Sequence, residues 1–168
     1  MRERLISEAR RIEEDSLFSA KGHFSSATMW GKAYLWLGIP AAVLAAIAGV
    51  SALSRFDNSD VVSGVLALVV AGLAAVTTFL NPSERTNLHH AFGTRFNSLR
   101  NNARIFREID CGSQEPDEEL IRKLKELANR RDELNEQSPQ IGRWAYQRAK
   151  KSIEAGEAEY EVNRVKTS

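Results

Sequence analysis

The sequence lacks most of what an enzyme, a metal site or a nucleic-acid binder requires. One cysteine, Cys111, among 168 residues excludes an internal disulfide and a cysteine metal cluster. A formal net charge of +1 argues against a dedicated binder of nucleic-acid polymers, because phosphate affinity requires a basic excess. Glycine-rich phosphate loops, nucleophile elbows and zincin motifs are all missing. We therefore expect no enzyme, no catalytic residue and no cofactor.

Charge is also missing from two long stretches. Residues 33–54 and 61–83 contain no Asp, Glu, Lys or Arg. About 20 apolar residues in a helix cross a bilayer core of ~30 Å, and each stretch supplies that length. The link, residues 55–60, is too short to cross a membrane, so the two spans must be antiparallel neighbours. The pattern predicts a transmembrane hairpin.

The flanking segments hold nearly all of the charge and show helical spacing of apolar residues. Residues 1–32 predict a cytoplasmic helix that continues into the first span as one long helix, and residues 84–168 predict about three more helices. The predicted fold class is an all-α membrane protein, in which a two-helix hairpin carries one cytoplasmic helical bundle. The apolar faces expected to form that bundle are Leu5, Ala9, Ile12, Ser16, Ser19 and His23; Leu88, Phe92, Phe96, Leu99, Ala103 and Phe106; Leu120, Leu124, Leu127 and Leu134; and Ile141, Trp144, Ala145 and Ile153.

Local signals place the helix boundaries and the orientation. Asn81-Pro82 reads as a cap followed by a first-turn proline, Pro116 precedes a helix, and Ser138-Pro139 restarts the last one. Basic residues near the span ends favour the cytoplasmic side for both termini. These are Lys21, Lys32, Arg85, Arg95 and Arg100, against Arg55 alone on the loop side.

Small residues recur at four-residue spacing in both spans, and such rows let helix backbones approach closely in lipid. They pack either within the hairpin or between copies, and we expect a homo-oligomer. The packing candidates are Ala41, Ala45, Gly49, Ser63, Ala67, Ala71, Gly72 and Ala75. Any pore would be lined by sparse hydroxyls, for which Ser51, Thr77 and Thr78 are the candidates, and would be weakly selective.

The histidines are the remaining candidates for chemistry. His89 and His90 point about 100° apart on a helix, and carboxylates or cysteines at ligand spacing are missing, so we expect no metal site. We expect His23 and His89 instead to form a polar contact between the first and third helices. Titration near neutral pH would make that contact a modest switch.

Several short motifs resemble one family. They are EEDSLFSAKGHF at 13–24, YLWLGIP at 34–40, FLNPSER at 79–85, the pair His89-His90 and RFNSLRN at 95–101. In order and content they resemble the SLATT family of bacterial two-transmembrane proteins. The resemblance implies an inner-membrane effector of an anti-phage or conflict system, which forms pores or disrupts the membrane and causes abortive infection.

The resemblance also implies partners and site residues. A cyclic-oligonucleotide synthase, a reverse transcriptase or another sensor protein would accompany the effector. His23, Glu84, His89 and Arg104 match family-like positions, with a structural or gating role and no catalytic one. The alternative that stays open is a non-enzymatic membrane adaptor, whose hairpin only anchors a docking platform.

Overall fold

The computed structural model describes residues 1–54 and 57–157, and these residues form helices and turns with no strand. The elements are α1 (Arg2–Leu53), α2 (Ser59–Leu80), α3 (Pro82–Glu108), α4 (Asp117–Gln137) and α5 (Arg143–Glu154), with a 3₁₀ turn at Asp110–Gly112. The predicted all-helical class is confirmed. Arg55, counted above on the loop side, lies outside the described residues.

The predicted continuity of the first helix is confirmed, because α1 runs through 52 residues with Pro40 inside it. Pro82 opens α3 and Asp117 opens α4, as the prolines indicated. Asn81 directly precedes α3, and its carbonyl accepts from the Arg85 N–H at 3.2 Å; the same residue also ends α2. Its left-handed φ of 44° and its backbone N–H, which donates to the Thr77 carbonyl, make it the C-cap of α2.

The start predicted for the last helix was wrong. Ser138 ends α4, with its N–H donating to the Leu134 carbonyl at 3.0 Å. Proline disfavours helical backbone in the residue before it, and Ser138 is accordingly extended, with ψ at 142°. The chain returns to helix only at Arg143, after Gly142.

The chain divides into two compact units, and the first combines Met1–Ala27 with the described residues from Leu88 onward. Its core has two clusters formed by α1, α3, α4 and the 3₁₀ turn that precedes α4. One holds Ile12, Ala20, Phe92, Phe96, Leu99, Ala103 and Leu134; the other holds Leu5, Ala9, Phe106, Cys111 and Leu120. Leu124 and Leu127 pack against both clusters.

Two residues expected in this core are exposed. Leu88 keeps 44% and Trp144 keeps 50% of its surface accessible. The reason for Trp144 is that α5 buries its two alanines, Ala145 and Ala149, and the tryptophan lies away from that face.

The second unit is Thr28–Asn87, which contains both uncharged stretches. Within the described residues, two helices are long and apolar enough to span a membrane, by length and composition. Of their most apolar windows, only 6% is buried in the first and 0% in the second. Phe79 and Leu53 are 87% and 88% exposed. The apolar side chains of these two helices therefore lie mostly on the surface, whereas the core helix of a soluble protein has them buried.

Candidate functional site

Two buried titratable side chains, contributed by two helices, form a pair in the bundle. His23 of α1 and His89 of α3 are 1% and 6% exposed. Their Nδ1 atoms lie 2.9 Å apart, which is hydrogen-bond distance. A neutral imidazole has one donor and one acceptor nitrogen, so one ring donates from Nδ1 while the other accepts there. The two rings must therefore be in different tautomers.

Aromatic rings enclose His23. Phe92 and Phe96 stack on it, with ring centroids at 5.8 and 5.5 Å. Helical spacing explains the arrangement, because His89, Phe92 and Phe96 are three and four residues apart and so share one face of α3. A positive charge on the His23 ring would therefore be shielded from water.

Burial is the main cause that lowers the pKa of His23, and the neighbouring His89 lowers it further. The pKa falls from 6.5 to about 4. The His23 ring is therefore neutral at physiological pH, and it makes a hydrogen-bonded contact with His89 that joins α1 to α3.

The structure supplies no further ligands for a metal near this pair. In residues 1–54 and 57–157, no group of three or more His, Cys, Asp or Glu side chains is placed to hold an ion. His90 is exposed and meets the edge of the Phe24 ring at 5.6 Å between centroids. Adjacent histidines on a helix thus diverge, as the sequence predicted.

The structure places Glu84 and Arg104 apart. Glu84 lies in the first turn of α3 and accepts a hydrogen bond from the side-chain amide of Asn81. Arg104 is half-buried on the same helix, twenty positions later in the sequence.

The apolar segments of α1 and α2 show a regular burial pattern. Half-buried positions recur every three or four residues and form one stripe on each helix. The stripe of α1 includes the half-buried Leu37, Ala41, Leu44 and Ala48 and the buried Ser51, and that of α2 includes Ser63, Leu66, Val70, Leu73, Thr77 and Leu80. All other positions between Val61 and Phe79 are exposed.

Each stripe has a flank of small residues and a flank of bulky ones, because successive helical residues turn by about 100°. Ala42, Ala45 and Gly49 lie beside the α1 stripe on one side, with Ile39, Val43, Ile47 and Val50 on the other. On α2 the small flank is Gly64, Ala67, Ala71, Ala74 and Thr78, and the bulky flank is Val62, Val65, Val69 and Val76.

The predicted packing residues therefore separate into groups. Ala41 and Ser63 lie in the half-buried stripes, whereas Ala45, Gly49, Ala67 and Ala71 lie on the small flanks. Ala75 points away from the stripe, and Gly72 lies among the valines. A Cβ atom added at Gly49 or Gly72 would meet nothing within 4 Å.

The candidate pore hydroxyls are not on one surface. Ser51 is buried at 7% exposure, and Thr77 is half-buried with its hydroxyl donating to the Leu73 carbonyl at 2.8 Å. Thr78 is exposed on the small flank of α2. A hydroxyl that bonds its own helix is satisfied without water, which suits an apolar environment.

No protein-family model, no curated protein and no solved structure matches this chain.

The structure also reveals an exposed basic face that the sequence interpretation did not single out. On α5, Trp144, Gln147, Arg148 and Lys151 line one shallow depression. Their spacing of three, four and seven residues was a readable signal of a shared helical face. The apolar character of Trp144 had instead predicted an interior position.

Proposed function

We propose that this protein is a membrane effector of a bacterial conflict system, which assembles in the inner membrane and permeabilises it when triggered. The observation that carries the proposal is the unburied apolar surface of Thr28–Asn87. At 1.5 Å per residue, the 22 residues of α2 extend about 33 Å, close to the ~30 Å hydrocarbon core. Such a surface is stable in lipid and unfavourable in water.

A hairpin in which the two half-buried stripes face each other accounts for their partial burial. In an antiparallel pair, the two small flanks then fall on the same side. One side of the hairpin carries alanine and glycine from both helices, and the other carries isoleucine and valine. Small residues allow close backbone approach between helices in lipid, so the small side is the surface on which copies would assemble.

Assembly through the small side leads to a pore or to local disruption of the bilayer. The resemblance of the motifs to the SLATT family supports the defence role, with abortive infection as the outcome. It also supports a sensor partner, such as a cyclic-oligonucleotide synthase or a reverse transcriptase, for a chain with both termini in the cytoplasm. The protein would act without catalysis.

Membrane potential in living bacteria tests this proposal. Overproduction, alone or with candidate sensor partners, is expected to depolarise cells that carry a potential-sensitive dye. Ala71→Leu fills the small side and should abolish depolarisation. Val69→Leu, two residues away on the bulky flank, is the matched control and should retain it. Immunoblots of the membrane fraction confirm equal amounts.

Two results would contradict the assignment. Depolarisation by Ala71→Leu equal to that of the unaltered chain would exclude the small side as the assembly surface. Absence of depolarisation under every condition would instead favour the membrane adaptor. A groove with an apolar floor supports that second function, since Leu99, Phe106 and Leu127 line it between α3 and α4.

A further inference from the structure

The exposed arc of α5 combines basic side chains with a tryptophan. This 12-residue helix buries Ala145 and Ala149 on one side. Arg143, Trp144, Gln147, Arg148 and Lys151 lie on the opposite, exposed side. The Arg148 guanidinium lies over the Trp144 ring at 5.4 Å from the centroid. A cation and an amphipathic aromatic ring therefore share one surface.

Four of the five cations of α4 provide a contrast, because a carboxylate pairs with each of these four. Arg122 pairs with Glu119 and Glu126, and Arg130 pairs with Glu133 at 2.9 Å. Their charge is neutralised within one helix.

The cations of α5 are less well matched. Lys150 pairs with Glu154 at 3.7 Å, whereas the single carboxylate of Glu157 accepts a hydrogen bond from Ser152, pairs with Lys21 and also attracts Arg148. Within the described part of the chain, Arg143 and Lys151 enter no ion pair. This arc therefore carries an excess of positive charge on a protein whose formal net charge is only +1.

We propose that this arc of α5 binds the anionic phospholipid headgroups of the membrane that anchors the chain. The inference rests on the proposed membrane location, because anchoring keeps lipid headgroups at high effective concentration around the bundle. Positive side chains are attracted to the negative surface of the cytoplasmic leaflet. Tryptophan favours the headgroup level, where its ring is apolar and its N–H finds acceptors.

Quenching of Trp144 fluorescence tests this contact in the full-length protein. Trp30→Phe/Trp36→Phe leaves Trp144 as the single tryptophan of the chain. This protein is placed in nanodiscs of zwitterionic lipid alone or mixed with anionic lipid, each with brominated headgroup-proximal chains as quenchers. We expect quenching and a blue-shifted emission that require anionic lipid and that weaken at high salt, where the charges are screened.

Removal of the charges should release the helix. Each Lys or Arg near an anionic surface contributes about a fivefold change in the bound-to-released ratio. Arg148→Gln/Lys151→Gln should therefore lower that ratio by about 30-fold. Arg122→Gln/Arg130→Gln removes the same charge from the paired residues of α4 and should leave quenching unchanged.

Three results would overturn the proposal. They are no quenching at any anionic fraction, equal loss of quenching in the α4 control, and a Trp144 response to added RNA in zwitterionic nanodiscs without a response to anionic lipid. The last would make a soluble polyanion the ligand. Failure of the membrane location itself is distinguishable, because the protein would then not co-elute with nanodiscs of any composition.

Discussion

Acidification is expected to loosen the bundle at the His23–His89 contact. Burial and the neighbouring imidazole lower the pKa of His23 from 6.5 to about 4 in the folded state. The unfolded chain therefore binds protons more readily than the folded one at mildly acid pH. The stabilising contribution of the neutral ring is complete above pH 6.5 and is lost as the pH falls toward 4. The shift corresponds to about 3 kcal/mol.

The geometry of the pair explains why acid acts in this direction. One proton already lies between the two Nδ1 atoms, which are 2.9 Å apart. A proton added to His23 would place a charge in a ring enclosed by Phe92 and Phe96, where that charge is poorly solvated. Protonation of both imidazoles would place N–H groups on both facing nitrogens, and the hydrogen bond would be replaced by repulsion between two cations.

The assay is urea unfolding of the protein in detergent micelles, followed by far-UV circular dichroism between pH 7.5 and 4.5. His23→Phe/His89→Leu replaces both partners with apolar side chains, so its stability at pH 7.5 should remain close to that of the unaltered protein. The free energy of unfolding that this double variant loses on acidification should be smaller by about 3 kcal/mol. His90→Gln alters the adjacent exposed histidine and should keep the full loss. The same pH profile in the double variant and the unaltered chain would refute the reasoning.

Three further changes test the packing of the bundle by urea unfolding. Gly93→Ala would place a Cβ atom 2.8 Å from the Phe24 ring and should destabilise the bundle by about 1–2 kcal/mol, a penalty that Phe24→Ala removes. Arg2→Ala removes hydrogen bonds to carbonyls of the turn before α4, including one of 2.6 Å, and should lower the free energy of unfolding by about 1–2 kcal/mol. The control Arg4→Ala, at an exposed position nearby, should lower it by less than about 0.5 kcal/mol. Ser16→Ala should stabilise the bundle by about 1 kcal/mol, because the buried Ser16 hydroxyl has no hydrogen-bond partner in the described residues. A loss of stability in this variant would contradict the assignment of that hydroxyl as unpaired.

The bundle core was predictable where apolar periodicity alone decides it. Ile12, Phe96 and Leu134 were assigned to core faces from their spacing, and all three are buried at 1% exposure or less. Sequence spacing gives the face of a helix because the turn per residue is fixed. It also placed Trp144 wrongly, since a short helix can satisfy its packing with two alanines and leave a large ring outside.

Contacts between distant segments could not be predicted from spacing. Arg2 donates hydrogen bonds to the carbonyls of Cys111 and Glu115, more than 100 positions away in the sequence. Gly93 is needed because Phe24 from α1 packs against it. Neither residue belongs to a local pattern, and both depend on how α1 and α3 are offset along their axes. That offset is a tertiary property, so the sequence of one helix alone does not determine it.

The small-residue rows show how an ambiguous pattern is resolved. Ala41 and Ala45 are one turn apart and belong to the same row in the sequence, yet Ala41 lies in the half-buried stripe and Ala45 beside it. A row at strict four-residue spacing drifts around the helix, because four residues turn about 40° beyond one full turn. Two alanines in one row therefore face different neighbours. If the stripes form the hairpin contact, Ala45→Leu should impair assembly while leaving the hairpin intact, and Ala41→Leu should disturb the hairpin itself. Cysteine cross-linking across α1 and α2, measured beside cross-linking between copies, distinguishes the two effects; equal behaviour of both variants would contradict the stripe assignment.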